Sequence, residues 1–144
     1  MPFKLQVDIV SAEAQIFSGK AERVVAPSVN GELGILPHHA PLLARLKPGM
    51  VRIIVDGDTE ESVFVSGGLI EVQPHVVTIL ADTAQRSKDM DEAAARAAKE
   101  RIEKELDGHR PAPADYARLK AELDLAIAIV RSLEHLRDLK HHRK

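Results

Sequence analysis

The chain opens in alternation. Phe3, Leu5, Val7 and Ile9 are apolar and Lys4, Gln6 and Asp8 polar, the period-two pattern of a strand with one buried face. Six further short runs, over 22–26, 42–46, 50–56, 62–65, 69–72 and 76–81, read as strands. Turn signals separate them at Ser18-Gly19, Asn30-Gly31, Lys47-Pro48-Gly49, Asp56-Gly57-Asp58 and Ser66-Gly67-Gly68. Asp56-Gly57, between two β-branched runs, is the strongest hairpin signal. Strands this short and this evenly spaced predict an antiparallel sandwich or barrel.

After Arg86 the period changes. Residues 90–106 are rich in Ala, Glu, Lys and Arg and predict a helix capped by Asp89 or Ser87, with Asp91 and Glu92 suited to the positive end of its dipole. Asp107-Gly108-His109-Arg110-Pro111-Ala112-Pro113 stops it. A second helix is expected from about Ala114 or Asp115 to about Leu139, forming an antiparallel hairpin with the first. The fold class is therefore α+β in two parts: an N-terminal antiparallel β-sandwich over 1–86 and a C-terminal α-helical hairpin over 87–144.

The second helix carries two apolar stripes. Tyr116, Leu119, Leu123, Ile127, Val130 and Leu133 form one, enough to pack on the first helix. Leu125, Ala128, Ile129, Leu136 and Leu139 form the other. Either this second stripe rests on the β-domain, or the helix exchanges packing partners. Leu125, Ile129 and Leu136 contribute a few kcal/mol wherever they are buried, at ~25 cal/mol per Å² of apolar surface, a gap suited to a two-state element.

Residues 31–41, Gly-Glu-Leu-Gly-Ile-Leu-Pro-His-His-Ala-Pro, are apolar, yet two glycines and two prolines exclude a long helix or a central strand. Such a loop either folds over a core or presents Leu33, Ile35 and Leu36 to a partner. Glu32 stands alone among apolar neighbours, where a charge serves a specific contact better than general-base catalysis.

Composition narrows the function. Among 144 residues there is no Cys, which excludes disulfides, thiolate metal sites and thiol catalysis. Net charge is −2, and only three Phe and one Tyr are present, so nucleic acid is not expected as the main partner. The opening segment lacks a signal-peptide core, and no run is long enough to span a membrane. Residues 1–86 hold 7 Lys+Arg against 10 Asp+Glu, and residues 87–144 hold 13 against 12. Arg137, Lys140, Arg143 and Lys144 make the tail basic.

Catalytic chemistry finds no foothold. His38-His39 point apart in extended chain and lack supporting carboxylates, so no metal site is expected, and His141-His142 read as a solvated tail. Ser66-Gly67-Gly68 lacks the flanks of a nucleophile elbow or a phosphate loop and reads as a tight turn. Glu60-Glu61 flank a hairpin and are expected to be solvated. No nucleophile, base and orienting group come together, and no catalytic residue is assigned.

GELGILPHHAPLLARLKPGM, then FVSGGLIEVQPHVVTILADTA, then an Ala/Arg/Glu/Lys hairpin, together with the opening DIVSAEAQIFSG, resemble the epsilon subunits of bacterial F-type ATP synthases over almost the whole chain. The resemblance implies a sandwich of about ten strands at the foot of the central stalk, touching the gamma subunit and the ring of membrane c-subunits. It implies a non-catalytic rotor subunit that couples proton flow to ATP synthesis, peripheral to the inner (plasma) membrane on its cytoplasmic side. By position, Glu32, Leu33, Gly34 and Ile35 face the c-ring and His39 lies near the gamma/c-ring junction. The hairpin of such subunits inhibits ATP hydrolysis when extended, and Arg131, Arg137 and Lys140 are the counterparts of the basic residues that approach the beta subunit. Some members bind ATP through an [IL]-D-x-x-R-A motif. Here Met90-Asp91-Glu92-Ala93-Ala94-Ala95 puts Ala94 where arginine belongs. Asp91, Arg101 and Arg131 remain, but Ile127 replaces another cation. At about 1.5–3 kcal/mol per charged hydrogen bond, ATP binding is expected to be weak or absent, and no cofactor is assigned. The alternative is a free-standing ATP-sensing module of the same architecture.

Overall fold

The computed structural model describes residues 3–108 and 112–142, and the side chains up to Lys140. The expected helix stop through Arg110 and Pro111, the His141-His142 side chains and the last two basic residues lie outside that description. The chain divides into two compact units, Met1–Met90 and Asp91–Lys144.

Ten strands make up the first unit: β1 (Leu5–Val10), β2 (Gln15–Ala21), β3 (Arg23–Ser28), β4 (Gly31–Ile35), β5 (Leu42–Leu46), β6 (Gly49–Ile54), β7 (Glu60–Val65), β8 (Gly68–Val72), β9 (Val76–Ala81) and β10 (Ala84–Arg86). They join in one hydrogen-bonded path, β10-β7-β6-β3-β5-β8-β9-β1-β2, with β4 paired to β3. All pairings are antiparallel except β1 with β9, which is parallel and departs from the expected all-antiparallel sheet. Inward-facing residues from both layers, among them Leu5, Val7, Ile9, Val24, Ile53 and Ile70, form one fully buried core.

Three strands escape the hydrophobic pattern. Ser18-Gly19, expected as a turn, lies inside β2, where Ser18 pairs with Asp8 and Gly19 with Val7. The Phe17 ring lies 3.3 Å from where a Cβ on Gly19 would stand, so the missing side chain makes room for an aromatic one. The actual turn is at Ser11–Ala14, closed by a 2.9 Å backbone bond. β4 occupies the first half of the supposed loop 31–41, and β10 is only three residues long.

The Asp56-Gly57 hairpin joins β6 to β7 as expected. The Asp56 carboxylate accepts the backbone N–H of Asp58 and Thr59 at 3.1 and 3.0 Å, and these bonds hold its pKa below the ordinary value. That contribution is present above the ordinary carboxylate pKa and fades as the pH falls through the lowered one.

Ser66-Gly67-Gly68 is a bend within a long ladder, not a hairpin turn. Val72 pairs with Val77, Gly68 with Ala81, Val65 with Ala84 and Val63 with Arg86, all in one unbroken register. The segment β7–β8 and the segment β9–β10 thus form a single bent hairpin passing from one layer to the other. At the corner Ser66 N–H donates to Thr83 O and Asp82 N–H to Gly67 O.

The ends of the strand path, β10 and β2, are joined by a side chain. Arg86 donates through Nε and Nη2 to Ile16 O at 3.2 and 2.9 Å, pairs with Glu61 at 3.2 Å and lies over the Phe17 ring. Glu61 is therefore a partner of this staple. Arg86→Ala leaves the seam open and is expected to cost about 2 kcal/mol, lowering the melting temperature of this unit by roughly 8–15 °C. Arg86→Lys should recover only part, because an ammonium cannot supply the planar fork. Thermal melts of the three proteins check this, and equal stability of the alanine variant would refute the staple.

A single 3₁₀ turn, Ser87–Asp89, ends the first unit. In the second, α1 (Glu92–Gly108) and α2 (Pro113–His142) pack on each other. The cap of α1 is Asp91, whose Oδ1 accepts the Ala94 N–H at 3.0 Å, in place of the expected Asp89 or Ser87, which the 3₁₀ turn engages. On α2, Leu119 and Val130 are buried and Leu123, Ile127 and Leu133 half-buried, following the first expected stripe, and Ala126, outside it, is buried as well. Tyr116 is exposed, near the helix start. Leu136, assigned to the second stripe, is buried, because it adjoins Leu133 at three-residue spacing.

Candidate partner-docking surface

β4 pairs with β3 alone, so its other side is a sheet edge. The edge is short, carries two glycines and displays Glu32, all features that discourage uncontrolled strand pairing while leaving a surface open to a specific partner. The β3–β4 register sets Glu32 opposite Pro27 and Leu33 opposite Ala26. Glu32 and Gly34 are exposed and Leu33 is half-buried against the core. Ile35, expected with them at the contact, is fully buried, because it sits opposite Val24 on the inward face. Its side chain anchors the strand from beneath. Leu36, the next residue, is 57 % exposed and is the apolar side chain that the surface offers here.

Beyond Leu36 the chain is braced. His38 adopts a left-handed backbone (φ 68°), donates its N–H to Pro74 O at 2.8 Å and stacks edge-on between Phe3 and His75. The Phe3–His38–His75 stack had no signal in the sequence, since it joins the N-terminus to two separate loops. His39 turns the other way: its Nδ1 lies 2.7 Å from Ala40 O, so this nitrogen carries a proton. Glu32, Leu33, Gly34 and His39 thus belong to one continuous segment, with Glu32 at its edge strand and His39 in the braced loop.

Among the described residues no group of three or more His, Asp or Glu converges as metal ligands would. A cleft of about 410 Å³ at the sheet corner is lined by Arg45, Pro48, Ser66 and Asp82 among others. Ser66 Oγ accepts the Thr83 N–H and O–H at 3.0 and 2.7 Å, so this hydroxyl fastens the corner between the two segments.

On the hairpin, Arg131 and Lys140 are exposed on α2, while Arg137 pairs with Glu92 of α1 at 3.3 Å. Arg101 pairs with Glu105 at 3.5 Å, and the Asp91 carboxylate is engaged in capping. Arg96, not singled out in the sequence, bonds Glu92 on its own helix and Glu134 on α2. Its hydrogen bond to Glu92, aided by the Arg137 charge, holds the Glu92 carboxyl below its ordinary pKa. The four-residue Glu92–Arg96 spacing was the available hint.

Among the described residues no helix is long and apolar enough to cross a membrane. Residues 4–87 match the family described as ATP synthase, Delta/Epsilon chain, beta-sandwich domain. The ATP synthase epsilon chain of Halorhodospira halophila is 56 % identical over 134 residues, covering 92 % of this chain and 94 % of the relative. That of Nitrosococcus oceani is 54 % identical over 137 residues, covering 95 % and 97 %. A chain in the Euglena gracilis mitochondrial ATP synthase structure (OSCP/F1/c-ring) has the same fold, with a TM-score of 0.76 at 20 % identity, over 94 % of this chain and 82 % of that one. Ten strands in a nearly closed sandwich followed by a two-helix hairpin, with this identity along both parts, make the protein a member of the ATP synthase epsilon-chain family.

Proposed function

We propose that the chain is a non-catalytic rotor subunit of the central stalk of an F-type ATP synthase, coupling proton flow to ATP synthesis. Its sandwich (1–86) docks between the gamma subunit and the c-ring, peripheral to the inner membrane on the cytoplasmic side. The hairpin (87–144) inhibits ATP hydrolysis when it extends, with Arg131, Arg137 and Lys140 meeting the beta subunit. Identity of 56 % across more than nine-tenths of both chains supports the subunit assignment most strongly. Glu32, Leu33 and Gly34 face the c-ring loops, with Ile35 holding their strand in place, and His39 lies at the gamma/c-ring junction. The hairpin binds ATP weakly or not at all, since Asp91 and Arg101 already have partners and Ala94 and Ile127 offer no cation.

The test is a Glu32→Lys chain assembled into the membrane-bound complex. Reversing one contact charge is expected to weaken docking by about 1–2 kcal/mol, or roughly tenfold in affinity. ATP-driven proton pumping should fall, while inhibition of the detached catalytic head stays as it was. Equal damage to both would mean that docking and inhibition do not reside in separate parts of the chain.

A further inference from the structure

Three rings from separate parts of the chain meet beside the loop after β4. His38 touches Phe3 edge-on at 4.9 Å on one side and His75, in the β8–β9 turn, at 5.2 Å on the other, with the two imidazole planes at 84°. Both histidines and Phe3 are exposed, so burial does not account for the cluster. The backbone holds it instead: His38 N–H donates to Pro74 O at 2.8 Å, and Gln6 N–H donates to His75 O at 2.9 Å. His38 also keeps a left-handed φ of 68°, a conformation that costs energy in a residue with a side chain.

The adjacent pair His38-His39 does not share an ion, since His39 Nδ1 is turned to Ala40 O. His38 and His75 are better placed. When two imidazoles bind one tetrahedral ion at about 2.0–2.1 Å, their ring centroids stand about 5 Å apart, close to the 5.2 Å found here. The terminal torsion of an imidazole is soft, so small turns bring a nitrogen of each ring to a common point while the pinned backbones stay in place. Glu71, on the strand leading into the same turn, has its carboxylate taken up by Gln73 Nε2 at 2.8 Å. The donor set is therefore nitrogen, which suits zinc, nickel or copper(II) and not magnesium or calcium.

We infer that His38 and His75 form a surface site for one zinc-class divalent ion, with water completing its coordination. Two protein ligands on exposed side chains make a site of modest affinity that exchanges freely with solvent. Once bound, the ion fastens the loop after β4 to the β8–β9 turn, reinforcing the single backbone bond from His38 to Pro74. The site goes beyond the proposed rotor role and stands without it.

The test is a zinc titration of the full chain carrying His141→Ala and His142→Ala, so that this second adjacent pair does not compete. In histidine NMR spectra the ring signals of His38 and His75 should shift together and saturate at one equivalent, while those of His39 and His135 stay in place. Calorimetry should show one site, and His75→Gln should weaken it about tenfold or more. His38→Asn should do the same, since asparagine tolerates the left-handed backbone but brings no imidazole. The double variant should bind no more weakly than either single one, because a lone ring does not chelate. Melting curves without metal should match the parent, which separates lost binding from lost fold. Shifts confined to other histidines, unchanged affinity in both single variants, or an equal response to magnesium would each overturn the site. The NMR readout needs no change at either ligand, so it decides even where a variant folds poorly.

Discussion

A Gly68→Ala chain is expected to lose most of the stability of the sandwich. A Cβ on this residue would stand 2.2 Å from Leu80 O and 2.9 Å from Ala81 Cα, both backbone atoms of the paired strand. Neither can move aside without breaking the ladder that pairs Gly68 with Ala81. The residue also has φ +138°, a conformation that side-chain-bearing residues rarely adopt. Overlap and strain together should cost about 4 kcal/mol or more, a large share of the roughly 5–15 kcal/mol that holds a domain. The melting temperature should fall by at least about 15 °C, or the protein should fail to accumulate in soluble form. Gly57→Ala is the control, because a Cβ there meets nothing within 4 Å and the φ is not positive. Its melting curve should nearly coincide with that of the parent. A Gly68→Ala chain that melted with the parent would mean that the corner can be built another way.

Removing residues 88–144 is expected to abolish inhibition of ATP hydrolysis while preserving assembly. The sandwich should survive the cut, since every residue of its buried core cluster lies between Leu5 and Ala81. Arg86, which fastens β10 to β2, is also retained. The α1–α2 pair, with Arg131, Arg137 and Lys140, is lost entirely. A tenfold inhibition by the full chain corresponds to only about 1.4 kcal/mol on the rate-limiting barrier, and the truncated chain should restore the uninhibited rate. ATPase assays of the catalytic head with full and truncated chains, alongside co-purification with gamma, check both halves. Persisting inhibition would move the inhibitory contact into the sandwich, and loss of gamma binding would place part of the dock on the hairpin.

What could be read in the sequence follows from the range of the forces involved. Burial on one face leaves a period in the chain, so β1, β6 and β9 and both helices were legible. β4 was not, because glycines at 31 and 34 interrupt its alternation and its stability comes from a neighbour, β3. β2 was obscured by Gly19, which looked like a turn residue and serves to admit the Phe17 ring. The ten-strand count came from the family resemblance and not from periodicity. Glu32 was recognisable as a lone charge in an apolar segment and is exposed, whereas the burial of Ile35 depended on register. Longer-range side-chain work left no local trace: Arg86 reaches Ile16 across 70 positions, and His38 meets Phe3 and His75 from opposite directions.

The parallel contact of β1 with β9 has a consequence for how the protein is made. β1 emerges from the ribosome before the other strands of its unit, yet the strand against which Gln6 to Val10 must lie, Val76–Ala81, is synthesised some 70 residues later. Until then the β1–β2 hairpin has no neighbour on that side. Leu5, Val7 and Ile9, completely covered in the finished molecule, wait with an open face. Arg86 then arrives behind β9 and ties β10 to the carbonyl of Ile16 on that first-made hairpin. Birth order and placement order run in opposite directions, and the first-made strands of this unit are sealed by nearly its last residue.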